Sequence, residues 1–414
     1  MTALEQQGAR AKAAARVLAT ATTAQKNAAL AAIAEALHSR QAEIIAANEL
    51  DMTAAREAGM RQSLQDRLLL DAKRIDGVAE GVRQVMALED PVGRMTEMST
   101  RPNGLQIGKK TVPLGVIGMI YEARPNVTVD AAALCLKAGN AVILRGGKEA
   151  FASNNALTNI MREAIASVGL PADAVSLVQD TTRSSSTELM CLRDYLDVLI
   201  PRGGAGLIKS VVENAKVPVI ETGAGVCHVY VEATADQDMA AKIIENAKCS
   251  RPSVCNAAET LLVDRSIAAA FLPKAKALLD RHNCVLRGCP ETCAILPSAE
   301  PATEEDWDTE YGDYILSVKV VAGLDEALEH IAAHSTGHSE AIVTSNYFQS
   351  QRFLNEVDAA AVYVNASTRF TDGGEFGEGA EIGIATQKLH ARGPMGLRQL
   401  TSTKFVVYGN GQVR

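Results

Sequence analysis

The chain has 414 residues, 47% of them hydrophobic and 22% charged, with a formal net charge of −8. That length exceeds one typical core, so two domains are expected, and the acidic balance argues against nucleic acid as a main partner. No apolar run approaches the roughly 18 residues of a membrane-crossing helix, so the sequence reads as soluble, with no membrane partner. Eight cysteines, at positions 135, 191, 227, 249, 255, 284, 289 and 293, form no even framework. A chain of this size needs no disulfide staples, so reduced thiols and a cytoplasmic setting are expected. His282, Cys284, Cys289 and Cys293 lie close in sequence, but they lack paired Cys-x-x-Cys spacing and Pro290 interrupts them. No metal is expected there.

In chain order, Leu30, Ile33, Ala34 and Leu37 make a helical stripe, and further helices are expected from Glu49 to Met86, ending before Pro91 and Gly93. Thr100-Arg-Pro-Asn-Gly104 is turn chemistry between two extended runs, a candidate projecting hairpin. Val112 to Ile120 reads as a buried strand, Thr128 to Lys137 as a helix closed by Gly139-Asn140, and Ala141 to Leu144 as the next strand. A helix to about Val168 follows. Strands near Val175–Val178, Val198–Ile200 and Val217–Ile220 continue the series. Apolar strands alternating with helices predict an α/β fold with a doubly wound parallel sheet, which binds ligands at the carboxyl ends of its strands.

Two loops fall at such ends. Arg145-Gly-Gly-Lys148 follows one strand, and two cations there could hold an adenosine 2′-phosphate or be solvated loop charges. Pro201-Arg-Gly-Gly-Ala-Gly206 follows another and opens a helix from Leu207 to Asn214. It fits a phosphate at a helix N-terminus or simply a tight turn. A third stretch, Val219-Ile-Glu-Thr-Gly-Ala-Gly225, sets an acid beside glycines. Downstream, an apolar-periodic segment (Met239, Ile243, Ile244, Ala247) reads as a helix and Thr260 to Val263 as a buried strand. Between them Ser250-Arg-Pro-Ser-Val-Cys255-Asn256 is a loop with one central thiol. A thiolate attacks carbonyls well and leaves well, so Cys255 is a candidate nucleophile; the alternative is a structural cysteine.

Glu221 lies 34 residues before Cys255, behind a nucleotide-type fold. This arrangement resembles the aldehyde dehydrogenase superfamily, whose Glu-Leu-Gly-Gly-type motif precedes the catalytic cysteine by such a distance. Ala138-Gly-Asn-Ala-Val-Ile-Leu144, Glu310-Tyr-Gly-Asp313 (Asp313 replacing a proline) and Gly373-Gly-Glu-Phe-Gly-Glu-Gly379 are similar to further segments of that family. Three stretches resemble one branch, the gamma-glutamyl phosphate reductases. They are Tyr121-Glu-Ala-Arg-Pro-Asn-Val-Thr128, the Cys255 loop, and Val321 to Ile342 with its histidines His330, His334 and His338. From periodicity alone those histidines read as a polar helix end.

The resemblance implies NADPH-dependent reduction of L-glutamate 5-phosphate to L-glutamate 5-semialdehyde with release of phosphate, a step of proline biosynthesis. It implies a thioester on Cys255, and an oxyanion held by the Cys255 backbone N–H and the Asn126 side chain. Glu221, which activates water in hydrolytic relatives, would here hold the nicotinamide or transfer a proton. By residue-wise match Arg145 and Lys148 fall at the adenosine ribose, Gly203 and Gly204 near the pyrophosphate, and Glu310 at the nicotinamide ribose. Arg124, Arg251 and Ser253 are candidates for the substrate's amino acid end. A hydrolytic aldehyde dehydrogenase acting on a small free aldehyde is the alternative. The expected architecture is an NADP-binding domain of residues 1–98, 113–224 and 376–398, and a catalytic domain of 225–375. An oligomerisation arm of 99–112 and 399–414 implies a homo-oligomer. A glutamate 5-kinase that makes the labile substrate is a candidate partner.

Overall fold

A computed structural model describes residues 1–414, apart from the side chain of Ser63. The chain divides into two compact units, one of residues 1–222, 377–383 and 395–414, the other of 223–376 and 384–394. None of the described helices is long and apolar enough to cross a membrane.

In the first unit the strands Val116–Tyr121, Ala141–Arg145, Val175–Leu177 and Val198–Arg202 form a four-stranded parallel sheet. Nearly every residue in them is buried, which is why they read as apolar runs and not as alternating patterns. From Val116–Tyr121 the chain winds outward through the helices Pro125–Lys137 and Phe151–Ser167, then returns to the opposite side of its starting strand at Val198–Arg202. That reversal is a topological switch point, where the carboxyl ends of adjacent strands splay apart and leave a crevice. The helices Thr23–Ser39, Gln41–Glu57 and Ala72–Ala87 pack on this layer. Two helix starts are fixed by capping boxes, Thr2 with Glu5 and Thr22 with Gln25. Two lysines are buried there with partners: Lys26 pairs with Asp90 at 2.5 Å, and Lys137 donates to Asn27 Oδ1 and the Met86 carbonyl, each at 2.7 Å.

Two sequence-based strands change. The expected Val112–Ile120 strand is two strands, Gln106–Pro113 and Val116–Tyr121, separated at Gly115, whose φ is +129°. An added Cβ at Gly115 would lie 2.1 Å from Asp197 Oδ2, the acceptor of the Val116 N–H. Only glycine turns the chain there, and apolar residues on both sides hide the turn from periodicity. The expected Val217–Ile220 strand contributes one bridge, Val219 beside Leu199, because Pro218 has no N–H to extend a ladder.

Residues Met95–Thr100, Gln106–Pro113 and Thr401–Tyr408 form a separate antiparallel sheet. Met98, Phe405, Val407 and Tyr408 are exposed on it.

The second unit is built on a seven-stranded parallel sheet. Its spatial order is Glu300–Pro301, Val285–Gly288, Ile315–Val321, Ala258–Asp264, Cys227–Val231, Ser339–Val343 and Ala361–Val364. Its core joins Val229, Ile244, Leu261, Phe271 and Val318 from the strands and the helices Gln237–Cys249 and Arg265–Leu279. Residues 384–394 belong to this unit, whereas the sequence-based boundary assigns them to the cofactor domain. The cause is local: Ile384–Ala385 pairs with Gly393–Pro394, the Ile384 carbonyl accepts the Gly223 N–H, and Lys388 and Arg392 both pair with Asp358.

Candidate active site

The candidate residues form two groups, one in each unit. In the second unit they gather at the amino ends of the parallel strands, the reverse of the usual ligand edge. Cys255 lies in the loop between the helix Gln237–Cys249 and the strand Ala258–Asp264, and is half-buried. Arg251 and Ser253 lie exposed on the same loop. Gly225, just before Cys227–Val231, runs so close that an added Cβ would stand 1.5 Å from the Cys255 carbonyl oxygen. No side chain fits there, which accounts for the last glycine of the Glu221–Gly225 motif. The Gly225 N–H donates to Glu310 Oε1 at 3.0 Å, so Glu310 is tied to the backbone that touches the Cys255 loop. The Cys227 thiol donates to the Cys255 carbonyl at 3.2 Å. Burial, then Glu340 and Cys255, push the Cys227 thiol well above its ordinary range, which leaves Cys227 a neutral donor.

Beneath this loop lies an ion pair that sequence reasoning does not find. Lys248, the penultimate helix residue, meets Glu259 at 2.6 Å, and both are fully buried. Glu259 also accepts the Gly312 N–H at 3.2 Å, which fixes the Glu310–Gly312 turn to the strand that follows Cys255. Burial pushes the Glu259 carboxyl up to about 7 against the pull of Lys248. Asn256, next to Cys255 and buried, donates to the Thr371 carbonyl at 3.0 Å and accepts from the Arg369 guanidinium; Arg369 Nε in turn donates to Ser250 Oγ at 3.0 Å. Arg369 sits in an aperiodic stretch with no spacing cue, so the sequence does not mark it.

Of the three histidines only His334 sits at a polar helix end. His330 and His338 are buried, and only His334 is half-exposed, with Asp308 at 2.8 Å. His330 packs edge-on against His228 and Trp307, and Lys319 Nζ lies 3.2 Å from its Nδ1. Burial, with His228 and Lys319 adding to it, lowers the His330 pKa to about 2; burial alone takes His338 to about 4. Both are therefore neutral polar core residues. Periodicity misplaces them because His338 lies past the helix, at the entry to a fully buried strand.

In the first unit, Arg124 is the N-cap of the helix Pro125–Lys137, and Asn126 lies in its first turn at the switch point. Asn126 Nδ2 donates to Asp130 Oδ2 at 3.0 Å, and burial raises the Asp130 carboxyl to about 6. The loops after Ala141–Arg145 and Val198–Arg202 are crowded: an added Cβ at Gly203 would lie 2.6 Å from Glu122 Cδ, and at Gly147 2.4 Å from Glu149 Oε2. Gly204 caps the helix Ala205–Asn214 with no side-chain acceptor, so backbone N–H groups open that helix. Glu221 is half-buried beside Thr222, whose hydroxyl donates to the Pro201 carbonyl at 3.0 Å. Arg145 is committed to the carbonyls of Gly146, Thr181 and Thr182 at 2.8–2.9 Å, so it ties two loops together, while Lys148 stands exposed. Glycines at a switch point, an uncapped helix start and a neighbouring cation fit a dinucleotide's phosphates.

The model of the aldehyde dehydrogenase family matches residues 2–287, more than half of the chain. The chain belongs to that family, whose members use a nicotinamide cofactor. Within it, the chain is 61% identical over 411 residues to the gamma-glutamyl phosphate reductase of Moorella thermoacetica, covering 99% of this chain and 98% of that one. It is 60% identical over 408 residues to that of Halothermothrix orenii, with coverage of 99% and 98%. The crystal structure of gamma-glutamyl phosphate reductase from Thermotoga maritima superposes with a TM-score of 0.98 at 51% identity, covering all of both chains. An acetylating aldehyde dehydrogenase from Geobacillus thermoglucosidasius shares the fold, with a TM-score of 0.70 at 19% identity over 99% and 97% of the two chains. The particular branch is thus that of the gamma-glutamyl phosphate reductases.

The buried pair yields a stability prediction. Lys248→Met leaves Glu259 without its cation, at a cost of about 3 kcal/mol. The folded Glu259 pKa already exceeds its unfolded value and rises further in the variant, so the folded state binds the extra proton. Relative to wild type, the deficit therefore grows as pH rises above about 7, where the wild-type carboxyl ionises and the variant's stays protonated. Urea denaturation at pH 5.5 and 8 should show the larger loss at pH 8; an equal loss at both would contradict the assignment.

Proposed function

We propose that the chain reduces L-glutamate 5-phosphate to L-glutamate 5-semialdehyde with NADPH, releasing phosphate, as a step of proline biosynthesis. The observation that carries this reading is the full-length likeness to gamma-glutamyl phosphate reductases, with a half-buried thiol at the head of a buried strand. The Cys255 thiolate attacks the acyl carbon; a C–S bond forms, the C–O bond to phosphate breaks, and phosphate departs with the electron pair. The Cys255 N–H and the Asn126 amide stabilise the oxyanion of the tetrahedral species. Asp130, which accepts one Asn126 hydrogen, orients that amide. A nicotinamide cofactor, when bound, supplies the hydride that the thioester needs. Breaking the C–S bond then returns the thiolate and frees the aldehyde.

Water would waste the thioester, so Glu221 has no water to activate here; it holds the nicotinamide or moves a proton. Lys148 contacts the adenosine 2′-phosphate, with Arg145 shaping its loop. Gly203 and Gly204 admit the pyrophosphate, and Glu310 takes the nicotinamide ribose. Arg124, Arg251 and Ser253 hold the amino acid end of the substrate. The exposed apolar side chains on the sheet of Met95–Thr100, Gln106–Pro113 and Thr401–Tyr408 support a homo-oligomer built through that arm. Hand-over of substrate from a glutamate 5-kinase and a cytoplasmic site of action complete the reading.

Cys255→Ala should lower NADPH oxidation with glutamyl phosphate by at least about a thousandfold; unchanged turnover would rule out the thioester. Lys148→Glu should weaken NADPH binding by roughly tenfold or more and NADH far less, since only NADPH carries the 2′-phosphate. Equal losses for both cofactors in a binding titration would refute that contact.

A further inference from the structure

We infer that Arg369 is a positioning residue for the nucleophile: it clamps the Cys255 loop at both ends and, with Arg251, supplies the positive charge that keeps the thiol ionised. The inference rests on Cys255 being the nucleophile and goes beyond the residues that role has so far required.

The loop that bears Cys255 begins at Ser250 and ends at Asn256, and Arg369 reaches both. Its Nε donates to Ser250 Oγ at 3.0 Å, and that hydroxyl donates onward to the Asn246 carbonyl in the last turn of the preceding helix at 2.7 Å. Its Nη1 donates to Asn256 Oδ1. The same stretch returns three more bonds to Asn256: its Nδ2 donates to the Arg369 and Thr371 carbonyls at 3.3 and 3.0 Å, and its carbonyl accepts from Thr368 Oγ1 at 2.7 Å. A planar guanidinium suits such a two-ended clamp, because its donors diverge in fixed directions. Both side-chain bonds of Arg369 run to neutral oxygens, which do not cancel its charge.

That charge has a purpose at this position. The helix Gln237–Cys249 points its carboxyl end at the loop, and a helix carboxyl end disfavours an anion. The titratable groups around Cys255 in this unit come from four elements. Arg251 shares its loop, Cys227 donates to its carbonyl, Glu310 is bound to Gly225 against it, and Asp372 follows Arg369 in the clamp. Glu259 and Glu340 act on Cys227 behind them. Lys248 is paired with Glu259 at 2.6 Å, and His338, beside Cys227, is held neutral by burial; apart from the two arginines the other groups are acids or a thiol held neutral, and acids oppose ionisation of Cys255. Arg369 and Arg251 are the offsetting cations. Burial and Arg251 lower the Arg369 pKa while Asp372 and Cys255 raise it, which puts the guanidinium within electrostatic range of the thiolate.

The test is site-resolved alkylation of the full-length protein by iodoacetamide across pH, following the Cys255 peptide by mass spectrometry. Arg369→Gln should raise the midpoint of Cys255 alkylation by about one pH unit, roughly a tenfold loss of thiolate below the midpoint. Arg369→Lys should stay near the wild-type midpoint, because the charge is kept. Arg251→Gln should move the midpoint in the same direction by less, and it leaves the clamp intact should Arg369→Gln fail to fold. Midpoints unchanged in Arg251→Gln and in a folded Arg369→Gln overturn the inference. Alkylation needs no substrate, so a shifted midpoint in a protein that does not turn over glutamyl phosphate would sustain the inference and sink the proposed reaction. An unmoved midpoint in an active enzyme would do the reverse.

Discussion

The contact on which the second unit's site depends is the close approach of Gly225 to the Cys255 carbonyl. A loop carrying a nucleophile is conformationally costly to hold, since each residue fixed outside regular structure loses backbone entropy without a ladder of hydrogen bonds in return. Here the loop is held from several sides. The Gly225 backbone presses on it, the Cys227 thiol bonds to it, and Asn256 anchors its exit. The buried Lys248–Glu259 pair joins the helix before the loop to the strand after it, and the Gly312 N–H extends that lock to the turn bearing Glu310. Replacing any of these with a merely apolar contact would keep the core filled and lose the definition of the loop.

The first unit solves a different problem by topology. Its strand order places two strand ends side by side where winding reverses, so that a dinucleotide's phosphates can meet backbone N–H groups and not side chains. A Cβ at Gly147 or Gly203 would crowd its neighbours, and Glu122 fills the space between the two loops. Arg145, which looks in the sequence like a ligand, is used to bind the loops to each other. Lys148, on the same loop, is left as an exposed cation.

How much of this was legible follows from the kind of interaction involved. Apolar strands such as Ala141–Arg145 and Val198–Arg202 are visible because burial on both faces writes a continuous run into the sequence. The Cys255 loop is visible because proline, small residues and one thiol fall between two periodic segments. Gly115 is hidden, because the turn it permits lies inside an apolar window and its reason, Asp197, is 82 residues away. Lys248 and Glu259 look like surface residues of a helix and a strand, since nothing local says that each will be buried against the other. Arg369 and Asn256 meet across more than a hundred residues, and His330 and His338 owe their burial to strands that sequence periodicity does not order. Long-range pairing of polar groups is what the sequence withholds.

The central claim, that Cys255 takes an acyl group from phosphate and yields an aldehyde, is most directly tested in the reverse direction. NADP⁺ reduction by glutamate 5-semialdehyde should require inorganic phosphate and rise with its concentration to saturation, because phosphate must displace the thiolate from the thioester. Reduction at the same rate without phosphate would mean that water cleaves the thioester, and the reading of the chain as a phosphate-releasing reductase would fail.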